Sequence, residues 1–285
     1  MHMNYEIGGF QISLDSFPFH ESEYLAAFRT ECRREPDIHM TICEVPQICI
    51  SPEINVKRIG ETVYRDSYGR RVRVCMNERK DALLYRITEL SQTEKQAEIT
   101  PDAAAHLGSY LVLRWLNLPE AFLEMETLFL HASLVRWKDK AILFTGRKQI
   151  GKSTQAELWR KHRNAVVLNG DRALLRHTDG AWIACGSPFC GTSGICCNEK
   201  IPVGAIVLLQ QGAENRVEPV SLKDAYVALL EGCTFEAGNI KETERVIALA
   251  EQIYSEVPMF RLICTPDEQA VVCLEKMLDR RDICG

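Results

Sequence analysis

Residues 140–162 read KAILFTGRKQIGKSTQAELWRKH: an apolar run, two glycines, then Lys152 and Ser153 at the head of a segment with helical spacing. Gly146, Gly151, Lys152 and Ser153 satisfy G-x-x-x-x-G-K-[ST]. A strand before and a helix after distinguish a phosphate-binding loop from a chance glycine turn. Glycines let consecutive backbone N–H groups turn inward around phosphate oxygens, and the helix that begins near Lys152 adds the positive end of its dipole. The stretch therefore predicts that Gly146, Arg147, Lys148, Gln149, Ile150, Gly151, Lys152, Ser153 and Thr154 wrap a nucleoside triphosphate with Mg²⁺. Lys152 would neutralise β- and γ-phosphate charge and Ser153 would offer its hydroxyl to the metal, while Thr154 starts the helix.

Such a loop needs a carboxylate from a neighbouring strand to organise magnesium or take a proton. The next apolar run, AVVLNGD (165–171), ends on Asp171, which becomes the expected catalytic residue and second metal contact. Asn169-Gly170-Asp171 is also good turn chemistry, a plainer reading of the same residues. Upstream, LFLHASLVRW (128–137) and KAILFTG are strand-like runs joined by the turn Lys138-Asp139-Lys140. Further strands are expected at AIVLLQQ (205–211) and MFRLICT (259–265), and helices at SLKDAYVALLE (221–231) and TPDEQAVVCLEKML (265–278). Ser221 with Asp224 and Thr265 with Glu268 fit the capping-box pattern. The order of elements predicts an α/β catalytic domain with a mixed sheet.

The first part of the chain differs. From Tyr5 to about Leu90 apolar residues mostly alternate, as in Phe10, Ile12, Leu14 and Val72, Val74, Met76, the period of half-buried strands. Asp66-Ser67-Tyr68-Gly69 lies between two such runs as a hairpin signal. HESEYLAAFRTECRRE (20–35) interrupts them with a helical look. At Thr100-Pro101 a cap followed by proline opens a helix expected to reach Leu118 and to be ended by Pro119. The expected organisation is a β-rich region over 1–100 and a P-loop domain over 101–285.

Composition narrows the function. The chain has 285 residues, 46% of them hydrophobic, enough for a sizeable core. A net charge of -5 lacks the basic field that nonspecific nucleic-acid binding requires, so no nucleic-acid partner is expected. No signal-like amino terminus and no apolar run of membrane-spanning length is seen, which points to a cytoplasmic protein with no membrane partner. Twelve cysteines are mostly scattered. Cys43, Cys49, Cys75, Cys264 and Cys273 lie in apolar stretches and read as small hydrophobes. Cys185, Cys190, Cys196 and Cys197 cluster without the C-x2-C pairs of zinc sites.

HASLVRW before the loop, LFTGRKQIGKS, LNGDRALLR, GSPFCGTSG and the ending MFRLICTPDEQAVVCLEKML together resemble the catalytic domain of HPr kinase/phosphorylase and its relatives, over about residues 125 to 280. The resemblance implies the P-loop fold shared with phosphoenolpyruvate carboxykinases. It also implies phosphoryl transfer from ATP to a hydroxyl, commonly a serine. His131 stands where the family histidine stands, and is expected to touch phosphate or acceptor. Where the family has an acidic pair, serving as base and magnesium contact, this chain has Gly170-Asp171. Either Asp171 does both jobs or another acid such as Glu199 folds in to help. The Arg-Gly-x-Gly core of the bifunctional enzymes is not visible, so phosphorolysis is not predicted.

The expectation is a kinase acting on a peptide, protein or small-molecule hydroxyl. The missing carboxylate keeps open a nucleotide-binding regulator, or pseudokinase. Gly186 to Thr192 reads as a substrate-approaching loop or a plain connector. The first 100 residues are left with two readings, acceptor recognition or assembly into a homo-oligomer.

Overall fold

The computed structural model describes all residues except 32–33, 52, 57–59, 78–81, 107–109, 236–238, 282 and 284–285. The chain forms two compact units, Met1–Ala121 and Phe122–Gly285, each mixed α/β in character.

The first unit carries strands β1 (Met3–Ile7), β2 (Phe10–Asp15), β3 (Ile38–Glu44), β4 (Glu61–Arg65), β5 (Arg71–Met76), β6 (Leu83–Glu89) and β7 (Glu94–Ile99). They form one mixed sheet in the order β1-β2-β3-β7-β6-β5-β4, with β3 parallel to both β2 and β7. The Asp66–Gly69 turn joins β4 to β5 as expected; the Asp66 carboxylate accepts from the N–H of Tyr68 and Arg70, and Gly69 takes φ +76°. The helix expected over 20–35 shrinks to α1 (Glu23–Ala26), capped by Ser22; residues 32–33 of that expectation lie outside the described residues.

Three helices follow, α2 (Pro101–His106), α3 (Tyr110–Leu116) and α4 (Leu118–Glu124). The division between units therefore falls past α3 instead of near residue 100. Trp115 of α3 packs against Tyr85 and Phe19, and Arg73 of β5 donates to the carbonyls of Arg114 and Trp115, tying the helix to the first sheet. Pro119 does not end a helix. Asn117, at φ +49°, breaks the chain's helical path, and Pro119 then occupies the first turn of α4, where a missing N–H leaves no bond unmade.

The second unit contains β8 (Thr127–Trp137), β9 (Lys140–Thr145), α5 (Lys152–Arg163), β10 (Val166–Asn169), β11 (Arg172–Thr178), β12 (Ala181–Cys185), β13 (Lys200–Gln211), β14 (Arg216–Pro219), α6 (Leu222–Gly232), α7 (Ile240–Glu256), β15 (Met259–Cys264) and α8 (Glu268–Arg280). Two long strands organise its sheet. The first half of β8 pairs with β11 and its second half with β9 and β10. In the same way β13 pairs first with β12, then in parallel with β9 and β15. The sheet is mixed.

Burial on both faces explains the unbroken apolar runs of the central strands. In β9, Ala141 and Leu143 join one core with Ile206 and Leu208 of β13 and with α6 and α7. Ile142 and Phe144 point into the other, with Val207, Leu209, α5 and α8. Trp159 of α5 is fully buried edge-on to Trp137, centroids 5.0 Å apart, which clamps the helix against the sheet.

The sequence reading does not assign α7, whose Asn239 caps the helix through the N–H groups of Lys241 and Glu242. Its buried Val246, Leu249, Ala250 and Ile253 follow the i, i+3, i+4, i+7 rule and offer a signal for it. Ser221 caps α6 as expected, accepting from Asp224 N–H. The cap of α8 is Asp267, with Thr265 instead donating to the Asp267 carboxylate. Among the described residues no helix is long and apolar enough to cross a membrane.

Candidate functional site

The strand β9 delivers the chain into a loop, Gly146–Gly151, that only glycine can open and close. Gly146 has φ +140°, and a Cβ there would lie 3.3 Å from the Ile150 Cγ2 and 3.4 Å from the Leu209 carbonyl oxygen. Gly151 sits at φ +115° as the residue before α5 and has no side chain to cap the helix, so no side-chain acceptor claims its first N–H groups. An anion is the natural partner for such a terminus. Lys152 is buried and folds back over the loop, its Nζ donating to the carbonyls of Gly146 at 3.0 Å and Arg147 at 3.1 Å. Arg147, Lys148, Gln149, Ser153 and Thr154 are exposed around it, and Ile150 is half-buried.

Asp171 stands at the gap between β10 and β11, where β8 changes partners. Its carbonyl accepts from Ala132 N–H at 3.0 Å, and Arg172 pairs in register with His131. The consequence is that His131 Nε2 lies 3.2 Å from Asp171 Oδ1. Burial lowers the His131 pKa, the nearby Lys152 charge lowers it further, and Asp171 opposes both. Burial also lowers the Lys152 pKa, again opposed by Asp171. Lys152, His131 and Asp171 thus share one electrostatic neighbourhood.

The turn that presents Asp171 is built from inside. Asn169 is fully buried; its Oδ1 accepts from the N–H groups of Asp171 (3.0 Å) and Arg172 (2.8 Å), while its Nδ2 donates to the Ser187 carbonyl at 2.8 Å. A Cβ on Gly170 would fall 1.9 Å from Ser193 Oγ, and one on Gly191 would fall 2.8 Å from the Asp171 Cβ and Cγ. The segment 186–194 therefore packs directly on the turn. Sequence leaves that segment as a substrate loop or a connector; its contacts make it the support of Asp171.

Glu199 does not join this group. Its carboxylate pairs with Arg136 at 3.0 Å, and Arg136 lies five residues along β8 from His131, on the order of 16 Å in extended chain. Cys185 and Cys190 are buried and Cys196 and Cys197 half-buried. Of the cysteines read as small core hydrophobes, Cys43, Cys75, Cys264 and Cys273 are only half-buried and Cys49 is exposed. Among the described residues no group of three or more His, Cys, Asp or Glu side chains is placed to hold a metal ion.

A cavity of about 580 Å³ opens beside the loop. His131, Gly146, Arg147, Lys148 and Ile150 form one wall, the end of β13 (Leu208, Leu209, Gln210) the floor, and α6 with Arg261 the far side. Arg261 Nη2 is 2.8 Å from Asp224 Oδ2 within that far side. Sequence reading misses this wall, since α6 lies far along the chain from the loop and has no motif of its own. It also sees Asn169 only as a turn former, although the Asn-Gly-Asp order carries the signal.

No protein-family model and no curated protein matches the chain. Among solved structures, that of the Hpr(Ser) kinase/phosphatase from Coxiella burnetii is similar over 54% of this chain and 94% of its own, at 13% identity and a TM-score of 0.31.

Proposed function

We propose that this chain is an ATP-dependent kinase that moves the γ-phosphoryl group of ATP to a hydroxyl of a peptide, protein or small-molecule acceptor, on a P-loop domain of the phosphoenolpyruvate carboxykinase type. The observation that carries the reading is the meeting of Lys152, at the head of α5, with the His131–Asp171 pair of the adjoining strands. An anion at the α5 terminus is held by backbone N–H groups and by Lys152, whose Nζ exchanges the Gly146 and Arg147 carbonyls for phosphate oxygens. Asp171 accepts the proton of the attacking hydroxyl. His131, kept neutral near pH 7 by burial and by Lys152, holds the Asp171 carboxylate in place through Nε2.

The residues present fit magnesium. The exposed Ser153 hydroxyl and the part-exposed Asp171 carboxylate are hard oxygen donors, the set Mg²⁺ prefers, with waters and phosphate oxygens completing the shell. Bound there, the metal would neutralise phosphate charge. Catalysis of this kind rests on positioning and electrostatics, so one well-placed carboxylate can suffice.

Labelled ATP, offered with peptide, protein and small-molecule hydroxyls, tests the reading: transfer should require both Lys152 and Asp171. Transfer that persists in Lys152→Ala would sink it. A second reading, a nucleotide-binding regulator, is favoured by the packing of Ser193 against Gly170, which leaves no room for a second acid. Tight Mg-ATP binding without transfer or hydrolysis, together with an ATP-dependent partner, would select it.

A further inference from the structure

The cavity beside the loop is lined on one side by residues that adjoin the proposed reacting groups. His131 lines it, and His131 contacts Asp171; Gly146 to Lys148 line it, and they belong to the phosphate loop. Whatever fills the cavity therefore sits next to the phosphoryl group that the loop would hold. Its size suits a small molecule, since ligand pockets run from roughly 300 to 1,000 Å³.

The opposite wall is fixed against the same strands. A Cβ on Gly232 would lie 2.8 Å from the Leu130 Cδ1 and 3.4 Å from the Thr145 Oγ1, so the end of α6 lies flush on β8 and β9. Cys233 forms a bridge with Leu130, the residue before His131. Glu231 is two residues from that bridge, which places it on the order of 10 Å from His131. Charge then discriminates. Asp224 is matched by Arg261, whereas Glu231 has no partner among the described residues and faces the cavity. Leu208, Val227 and Ala228 supply an apolar surface between these polar ends.

We infer that this cavity is the acceptor site, and that the acceptor is a small amino alcohol whose cationic nitrogen pairs with Glu231 while its hydroxyl points to Asp171. This inference rests on the kinase reading above. In the transfer, the acceptor oxygen bonds to the γ-phosphorus of the triphosphate and the bond from that phosphorus to the β–γ bridging oxygen breaks. The electron pair leaves with the diphosphate, and the hydroxyl proton goes to the Asp171 carboxylate. The products are a phosphate monoester of the amino alcohol and a nucleoside diphosphate.

The test uses the full chain with Mg-ATP. Ethanolamine, choline and serine are compared with glycerol, of similar size but uncharged, and with a serine-containing peptide, while diphosphate release and phosphomonoester mass are measured. Triphosphate affinity is measured separately by calorimetry. The expected result is turnover with at least one cationic alcohol and none with glycerol, with KM for the acceptor raised tenfold or more in Glu231→Gln, a larger rise in Glu231→Lys, kcat changed less than threefold, and ATP affinity unaltered. Folding of both variants is checked by thermal melting; Glu231 is exposed, so the melts should match the parent. ATP binding with transfer to glycerol or the peptide, with transfer to none of these acceptors, or with an unchanged KM in Glu231→Gln overturns the acceptor assignment and leaves the nucleotide site standing. Failure to bind ATP at all overturns the kinase reading itself, and the acceptor assignment with it.

Discussion

The two backbone turns that meet at the site are held in opposite ways. The loop Gly146–Gly151 is shaped by its own residues: glycines at positive φ, the end of β9, the start of α5, and Lys152 folded back onto the loop's carbonyls. The turn Asn169–Asp171 is shaped by residues far along the chain, because Ser187, Gly191 and Ser193 pack on it and Asn169 is bonded to both sides. A glycine loop between a strand and a helix can be written in one short motif. The acid that faces it is positioned by a second, distant segment, and that segment also determines how many acids fit.

The largest effects of breaking this pair of turns fall on chemistry and leave the fold alone. Lys152→Ala and Asp171→Asn should each lower phosphoryl transfer by about 10²–10³, the usual cost of removing one preorganised electrostatic contact. Initial rates with labelled ATP give the number, and thermal melts near the parent's would show that the fold is intact. Next comes Asn169→Ala, which strands buried N–H and carbonyl groups on two segments and should cost about 3 kcal/mol in urea unfolding. A loss under about 0.5 kcal/mol would mean that the turn holds itself, as the Gly146–Gly151 loop does.

Gly170→Asp probes the same contrast from the other side. Overpacking against Ser193 should destabilise by about 1–3 kcal/mol, and adding Ser193→Gly should recover most of that loss. Equal stability of the single and double variants would remove the steric account of the missing acid.

The smallest effect is electrostatic. Since burial and Lys152 depress the His131 pKa, the unfolded chain takes up a proton at this residue first as pH falls. The stability it contributes is complete above the unfolded value of about 6.5 and is lost as pH drops through the folded value. By NMR titration, Lys152→Ala should raise the His131 pKa and Asp171→Asn should lower it. Shifts of the same sign would break the three groups apart as an electrostatic unit.

Particular elements show where sequence reading works. Gly146, Gly151, Lys152 and Ser153 are legible because backbone conformation, helix start and charge all lie within nine consecutive residues. The Asp66–Gly69 hairpin and the Ser221 cap are legible for the same reason, each being a local hydrogen-bond device. Thr265 misleads because it and Asp267 are both good caps, and only the folded chain selects between them. Pro119 misleads because proline is tolerated in the first turn of a helix as readily as after the last one.

The sequence by itself determined the glycine loop, the strand that feeds it, the helix that follows and Asp171 as the acid to examine. Tertiary structure alone decided that His131 reaches Asp171, that Glu199 is held by Arg136 instead, that Ser193 fills the space beside Gly170, and that Glu231 faces the cavity. The physical reason is range. Backbone φ, capping and turn chemistry act within a few residues, whereas these pairings follow from β8 changing partners midway and from α6 docking on its edge, contacts set by packing across the whole second unit.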